Sequence, residues 1–143
     1  RVNYEAQAAI ELEAIADASE AGYYPIPVTS QFADMNNADS HAPLLFQAIL
    51  SDIRANVSPA VISARFHNGL AQMVVDTCSA MRAEFDLNTV ALSGGVWQNM
   101  TLLTKTLTLL DEEGFEILIH SQVPANDGGL SLGQAVIAAH QLK

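Results

Sequence analysis

From Ser58 to its end the chain alternates helix, strand, helix, strand, helix, and that order constrains the fold more than any single residue. A strand, a crossover helix and a second strand pack as a right-handed parallel unit with helices against the sheet. Ser58-Pro59 marks the first start, because Ser caps a helix and Pro fits its first turn. The next run, "AVISARFHNGLAQMVVDTCSAMRAEF", puts Val61, Ile62, Phe66, Leu70, Met73, Val74 and Met81 on one helical stripe. It predicts a long helix crossing a sheet face. "NTVALS" reads as a buried strand with Val90 and Leu92 on one side and Ala91 on the other. "VWQNMTLLTKTLTLLDEEG" is an amphipathic helix stopped by Gly114, "FEILIHS" the next strand, and "DGGLSLGQAVIAAHQL" the last helix.

The first half is plainer. "NYEAQAAIELEAIADASEAG" spaces Ala8, Leu12, Ile15 and Ala16 as a helix, with Gly22 as its stop. "YYPIPVTSQFADM" has two prolines and alternating apolar residues, which suits an edge strand or two short strands. "NNADSH" reads as a turn, with Ser40 placed to cap the helix "HAPLLFQAILSDIRAN".

At 143 residues, half of them apolar, the chain is expected to be a single α/β domain, residues 1–143, with a real core. Its start at Arg1 suggests a piece cut from a longer polypeptide. Six Lys and Arg against sixteen Asp and Glu give a net charge of −10, which argues against a nucleic-acid partner. A nucleotide remains compatible, because backbone N–H groups hold phosphates without a basic surface. The single Cys78 excludes an intrachain disulfide or a Cys-based zinc site, and its helical setting fits a small buried residue. No run reaches about eighteen apolar residues and no signal-peptide pattern opens the chain, so a cytoplasmic protein without a membrane span is expected.

Two glycine pairs stand at the mouths of helices. "VALSGGVWQN" carries Ser93-Gly94-Gly95 after the first strand, and "VPANDGGLSLGQA" carries Asn126-Asp127-Gly128-Gly129 after the second. Ligands of open α/β sheets bind beyond the carboxyl ends of the strands, where both turns lie. Gly94 and Gly95 tolerate positive φ and leave room for a phosphate or ribose, and the helix behind them is expected to offer unpaired N–H groups. Ser93 and Asn99 add polar contacts, with Asn99 placed about one turn into the helix. Asp127 read alone is a helix cap. Asn126 can fill that role, however, and helix stability would not select two glycines after it; a closely approaching ligand or metal explains them better.

"ALSGGVWQN", "VPANDGGLSLGQA", "ISARFHNGLA" and "YEAQAAIELEAIA" together resemble the C-terminal part of the hydrogenase maturation carbamoyltransferases, in order and over nearly the whole chain. That part is similar to the tRNA threonylcarbamoyl-transfer enzyme, a Kae1-like member of the actin-like ATPase superfamily with its ribonuclease H-like lobes. The resemblance implies a mostly parallel sheet with helices packed on it, forming the second lobe of such a domain. It implies a carbamoyl-adenylate, made upstream from carbamoyl phosphate and ATP, whose carbamoyl group passes to the C-terminal Cys of a partner maturation protein. The upstream domains of the same polypeptide would be further partners. It also implies roles for single residues: Gly94, Gly95 and Gly128 around the nucleotide with Asn99 nearby, and Glu11 on the ribose hydroxyls, with Glu5 and Glu13 as alternatives. Asp127 would be the catalytic residue and a ligand to a divalent metal, whether zinc, iron or magnesium.

Two departures stand out. Ala6 occupies a position where relatives often carry Gly, and the His-x-x-x-His pair that completes the family's metal site is absent. The chain would hold half a site. The histidines then have ordinary expectations: His67 structural within its helix, His41 at a helix start, His120 at a strand end, His140 near the end of the last helix. Trp97 is expected to pack rather than stack on a base. Two other classes stay open: a non-catalytic actin-like module that binds a nucleotide or partner, and threonylcarbamoyl transfer to tRNA, which the acidic surface disfavours.

Overall fold

A computed structural model describes residues 2–28 and 42–142. In chain order the elements are α1 (Gln7–Ala14), α2 (Ala42–Arg54), α3 (Pro59–Phe85), β1 (Thr89–Leu92), α4 (Met100–Glu112), β2 (Glu116–Ile119) and α5 (Leu130–Gln141). β1 and β2 pair in parallel, with Thr89 opposite Glu116 and Leu92 opposite Ile119. The predicted polar turn and the Ser40 cap lie outside the described residues, as does His41.

α3 starts as its sequence dictates. Ser58 Oγ accepts from Val61 N at 3.3 Å and Pro59 occupies the first turn. The helix ends at Asp86, whose left-handed backbone (φ 56°) turns its N–H back onto Arg82 O. The buried face, however, is not the predicted stripe. Ser63, Ala64, His67, Gly69, Ala71 and Val75 are buried, while Val61, Ile62, Phe66, Leu70, Met73 and Val74 are half-buried flanks and Met81 is exposed. Small residues let other segments come close to the α3 backbone, and the larger side chains close over the sides. Gly69 shows how close: a Cβ there would lie 2.4 Å from the Tyr24 carbonyl oxygen.

The core beneath the sheet is Val75, Leu92, Leu110 and Phe115, with Cys78, Val90, Leu103, Leu107 and Trp97 packed against it. Burial pushes the Cys78 thiol above its ordinary pKa. Trp97 packs, as expected. The Arg82 guanidinium sits 4.0 Å above the Phe115 ring and donates to Glu113 O at 2.9 Å, tying the end of α3 to the entry of β2. Gly114 adopts φ +75° and stops α4 as predicted. Among the described residues one core group is unsatisfied: Thr106 Oγ1 is buried without a hydrogen-bond partner.

Three further expectations are corrected. α1 ends at Ala14 rather than running to Gly22, because the chain turns there and Asp17 N reaches across to Ala60 O. Of the predicted strand or strand pair, residues 23–28 form no strand, and the remainder, 29–35, lies outside the described residues. Residues 21–28 run extended beside α3, with Tyr24 N bonded to Arg65 O and Asn68 Nδ2 donating to the carbonyls of Glu20 and Gly22 at 3.0 and 2.8 Å. A polar knot fastens this segment to α2: Tyr24 Oη and Arg65 Nη1 both donate to Asp52 Oδ2, at 2.8 and 2.9 Å. Burial and the Asp52 hydrogen bond push the Tyr24 hydroxyl up to about 12, and the bonds from Tyr24 and Arg65 hold Asp52 below the usual carboxylate value. Finally, α5 does not pack on the sheet. Residues 130–142 are exposed throughout, Val136 and Ile137 among them.

Candidate functional site

The parallel pairing brings the two glycine turns together. Leu92 lies opposite Ile119, so the next residues, Ser93 and His120, face each other, with His120 Nε2 2.9 Å from Ser93 Oγ. Beyond them Gly94 N donates to Ala125 O at 2.8 Å, and a Cβ on Gly95 would meet Asn126 Cβ at 3.8 Å. Gly94 itself has φ +109°, a conformation that only glycine adopts at no cost.

Past the first turn the chain departs from the expectation. It enters a short 3-10 turn over Gly95–Gln98, and α4 begins only at Met100. Asn99 is therefore not inside the helix; it is the N-cap, and its Oδ1 accepts from Leu102 N at 2.8 Å. Glu13 of α1 takes the neighbouring donor, Thr101 N, at 3.0 Å. The helix that was expected to offer unpaired N–H groups thus has two of them filled by its own protein. One step earlier, in the 3-10 turn, the N–H groups of Gly95 and Val96 have no partner among the described residues. Gly95 stands directly beside the second turn.

That second turn settles which residue caps. Asn126 Oδ1 accepts from Gly128 N at 3.0 Å, and Gly129 N bonds to Asn126 O. The exposed Asp127 carboxylate makes no hydrogen bond or ion pair among the described residues. Part of the glycine preference is internal to the loop. A Cβ on Gly129 would stand 2.6 Å from Pro124 O, and one on Gly128 would stand 3.1 Å from Asn126 Oδ1. Tight local packing accounts for Gly129 and leaves little room for a side chain at Gly128.

Of the three acids weighed for the ribose, Glu11 in α1 is exposed and accepts from Gln7 Nε2 at 2.6 Å, while Glu5 is exposed just before the helix. Glu13 is committed to α4. Ala6 begins α1 with φ 59°, the left-handed conformation that a glycine would take without strain.

Beneath the turn lies a contact the sequence did not announce. The buried His67 receives Asn99 Nδ2 at its Nε2, 2.9 Å away, and its Nδ1 lies 2.8 Å from Ser63 O. Ser63 Oγ in turn donates to Leu12 O of α1. The Ser93–His120 contact could have been found from the strand register. The His67–Asn99 and Glu13–Thr101 contacts could not, because they depend on how α1, α3 and α4 pack.

Residues 1–134 match the family model described as the carbamoyltransferase Kae1-like domain, second subdomain. The chain belongs to this family. It is 36% identical to the carbamoyltransferase HypF of Rhodobacter capsulatus and 35% to that of a Synechocystis strain, each over 143 residues. Those alignments cover 100% and 98% of this chain but 18% of each relative. A crystal structure of full-length HypF in a phosphate- and nucleotide-bound form superposes over 100% of the chain with a TM-score of 0.88 at 38% identity. The HypF of T. kodakarensis covers 99% with a TM-score of 0.78 at 31% identity. The chain thus spans about a fifth of the length of these carbamoyltransferases. The Kae1-like architecture that the family resemblance implied is the one observed. Among the described residues, no helix is long and apolar enough to cross a membrane.

Proposed function

We propose that this chain supplies one wall of the nucleotide cleft of a carbamoyltransferase. In this reading the enzyme moves the carbamoyl group of carbamoyl-adenylate, made from carbamoyl phosphate and ATP, onto the C-terminal Cys thiolate of a partner protein in nickel–iron hydrogenase maturation. The observation that carries it is the joining of the two glycine turns at the carboxyl ends of β1 and β2. There Gly95 stands against Asn126, the residue before Asp127, and neither the Gly95 and Val96 N–H groups nor the Asp127 carboxylate has a partner among the described residues. Nucleotide and phosphate in a relative of the same fold, at 38% identity over the whole chain, support the reading.

The division of labour follows from the charges. Arg65 is engaged by Asp52 and Glu20, and Arg82 by Glu113 and the Phe115 ring, so neither is spare for a phosphate. Phosphate oxygens would be met instead by backbone donors at Gly95 and Val96, which are fixed in direction and need no reorganisation as charge develops. Gly94 and Gly95 let the backbone approach, Gly128 keeps the facing loop low, and Glu11 is accessible for a ribose hydroxyl. Asn99 acts from behind, as the cap that ends the turn. No side chain here need form a covalent bond to substrate: the thiolate attacks the carbamoyl carbon and AMP leaves.

A divalent metal fits this chain only in part. Among the described residues no group of three or more His, Cys, Asp or Glu side chains gathers to hold an ion. Asp127 fits as one contributed ligand, and the remaining ligands would come from another part of the polypeptide. Bound there, a metal would neutralise phosphate charge.

The test is mass spectrometry of a Cys-terminated acceptor incubated with ATP, carbamoyl phosphate and the intact polypeptide that carries these residues. The acceptor should gain one carbamoyl group. Asp127→Ala should lower that transfer by roughly 100-fold or more while leaving the unfolding midpoint unchanged, since Asn126 and not Asp127 caps the turn. Transfer at the wild-type rate in the variant would remove Asp127 from the site.

A further inference from the structure

We propose that His67, buried on α3, is a positioning residue for the first glycine turn, and that it acts through Asn99. The proposal rests on the carbamoyltransferase reading, in which that turn faces a nucleotide. Its geometry is fixed from both ends by backbone groups whose hydrogen-bonding sense cannot change. Ser63 O can only accept, so the proton of His67 sits on Nδ1, 2.8 Å away. Leu102 N can only donate, so the Asn99 atom facing it is Oδ1, at 2.8 Å. The Asn99 amide nitrogen then points at His67 Nε2, 2.9 Å away, and that ring nitrogen must present a lone pair. The result is a directed relay from a carbonyl of α3, through a neutral imidazole and an amide, to an N–H of α4.

Asn99 is where that relay meets the site. It closes the 3-10 turn, with its N–H on Val96 O, and it caps α4. Its φ of −72° and ψ of 103° mark the corner between the two. Clamping its amide therefore fixes the direction of the short turn that presents the Gly95 and Val96 donors. A core position needing only volume would take an apolar side chain, since a buried polar ring stabilises only when its partners are present. His67 is 2% exposed, both ring nitrogens are used, and one of them serves Asn99. Phe66 stacks edge-on at 5.7 Å between centroids and supports the ring without bonding it.

Four variants of the intact polypeptide separate positioning from plain packing. His67→Phe keeps the volume and removes the acceptor. His67→Gln returns an acceptor oxygen near the Nε2 position. Asn99→Ser keeps a capping oxygen but is too short to reach His67. Val75→Ala weakens the same core without touching Asn99. The readout is the magnesium-ATP concentration that protects the backbone amides of residues 93–103 from hydrogen exchange, so that nucleotide bound elsewhere on the polypeptide does not count.

The expected result is protection in the wild type and in Val75→Ala. His67→Phe and Asn99→Ser should both need about ten-fold more ATP, the equivalent of one hydrogen bond, with no further loss when combined. His67→Gln should recover most of the difference. Wild-type ATP dependence in Asn99→Ser, an equal loss in Val75→Ala, or no recovery in His67→Gln would overturn the positioning role while leaving the nucleotide reading intact. If the wild type itself gains no protection at these amides, the nucleotide reading fails and this inference falls with it. Should His67→Phe not fold, Asn99→Ser alone decides.

Discussion

The two glycine turns are near twins in sequence and opposites in support. The first leads through a 3-10 turn into α4, a helix with Leu102, Thr106 and Leu110 buried and with its opening held by Glu13 and Asn99. The second leads into α5, where no residue is buried, and is held mainly by its own Asn126 cap and the Gly94–Ala125 bond. Similar local signals therefore give one turn anchored in the core and one resting on the surface. Rigidity comes from what the helix behind each turn buries, not from the glycines.

The difference can be attacked from its strongest side first. Leu110 is fully buried at the centre of the core. Leu110→Ala should cost about 2–5 kcal/mol in chemical denaturation, by lost burial and the cavity left behind. It should also loosen the first turn toward the behaviour of the second, read as faster amide exchange at residues 93–103. A loss under about 1 kcal/mol would mean that α4 does not carry the support assigned to it.

Thr106→Val should work the other way. It removes a buried hydroxyl with no partner at nearly constant shape, so stability should rise by about 1 kcal/mol. A fall of that size would show that the hydroxyl is hydrogen-bonded in solution.

Smallest of all is the effect expected on α5. Ile137 is 61% exposed, and Ile137→Ser should change the unfolding free energy of this chain by no more than about 0.5 kcal/mol. A loss above about 2 kcal/mol would show that α5 is anchored after all and would erase the contrast.

Legibility followed the range of the interactions. Ser58-Pro59 announced α3, Gly114 stopped α4, and the two short apolar runs gave a parallel pair, because each depends on a few neighbouring residues. The buried face of α3 did not show. Periodicity ranks large apolar side chains first, whereas α3 is approached closely by the Tyr24 segment and uses Gly69, Ala64 and Ser63 to admit it. Asn99 was misplaced for a similar reason: one 3-10 turn shifts the helix start, which converts an internal residue into a cap. Glu13 was read only as a rival to Glu11, yet its partner, Thr101, lies 88 residues away and becomes visible once α1 and α4 are packed. Of the site itself, the meeting of the two turns was legible because ligand-facing loops of a parallel pair share one end. Which donors remain unpaired there was not.

The bond from Gly94 N to Ala125 O joins the two turns main chain to main chain. Proline aside, no side-chain replacement removes either partner, so a mutational scan of the two loops would read strain and packing but not the link itself. Only an edit to the peptide unit, such as an ester in place of the Gly94 amide, would show how strongly one loop reports its position to the other.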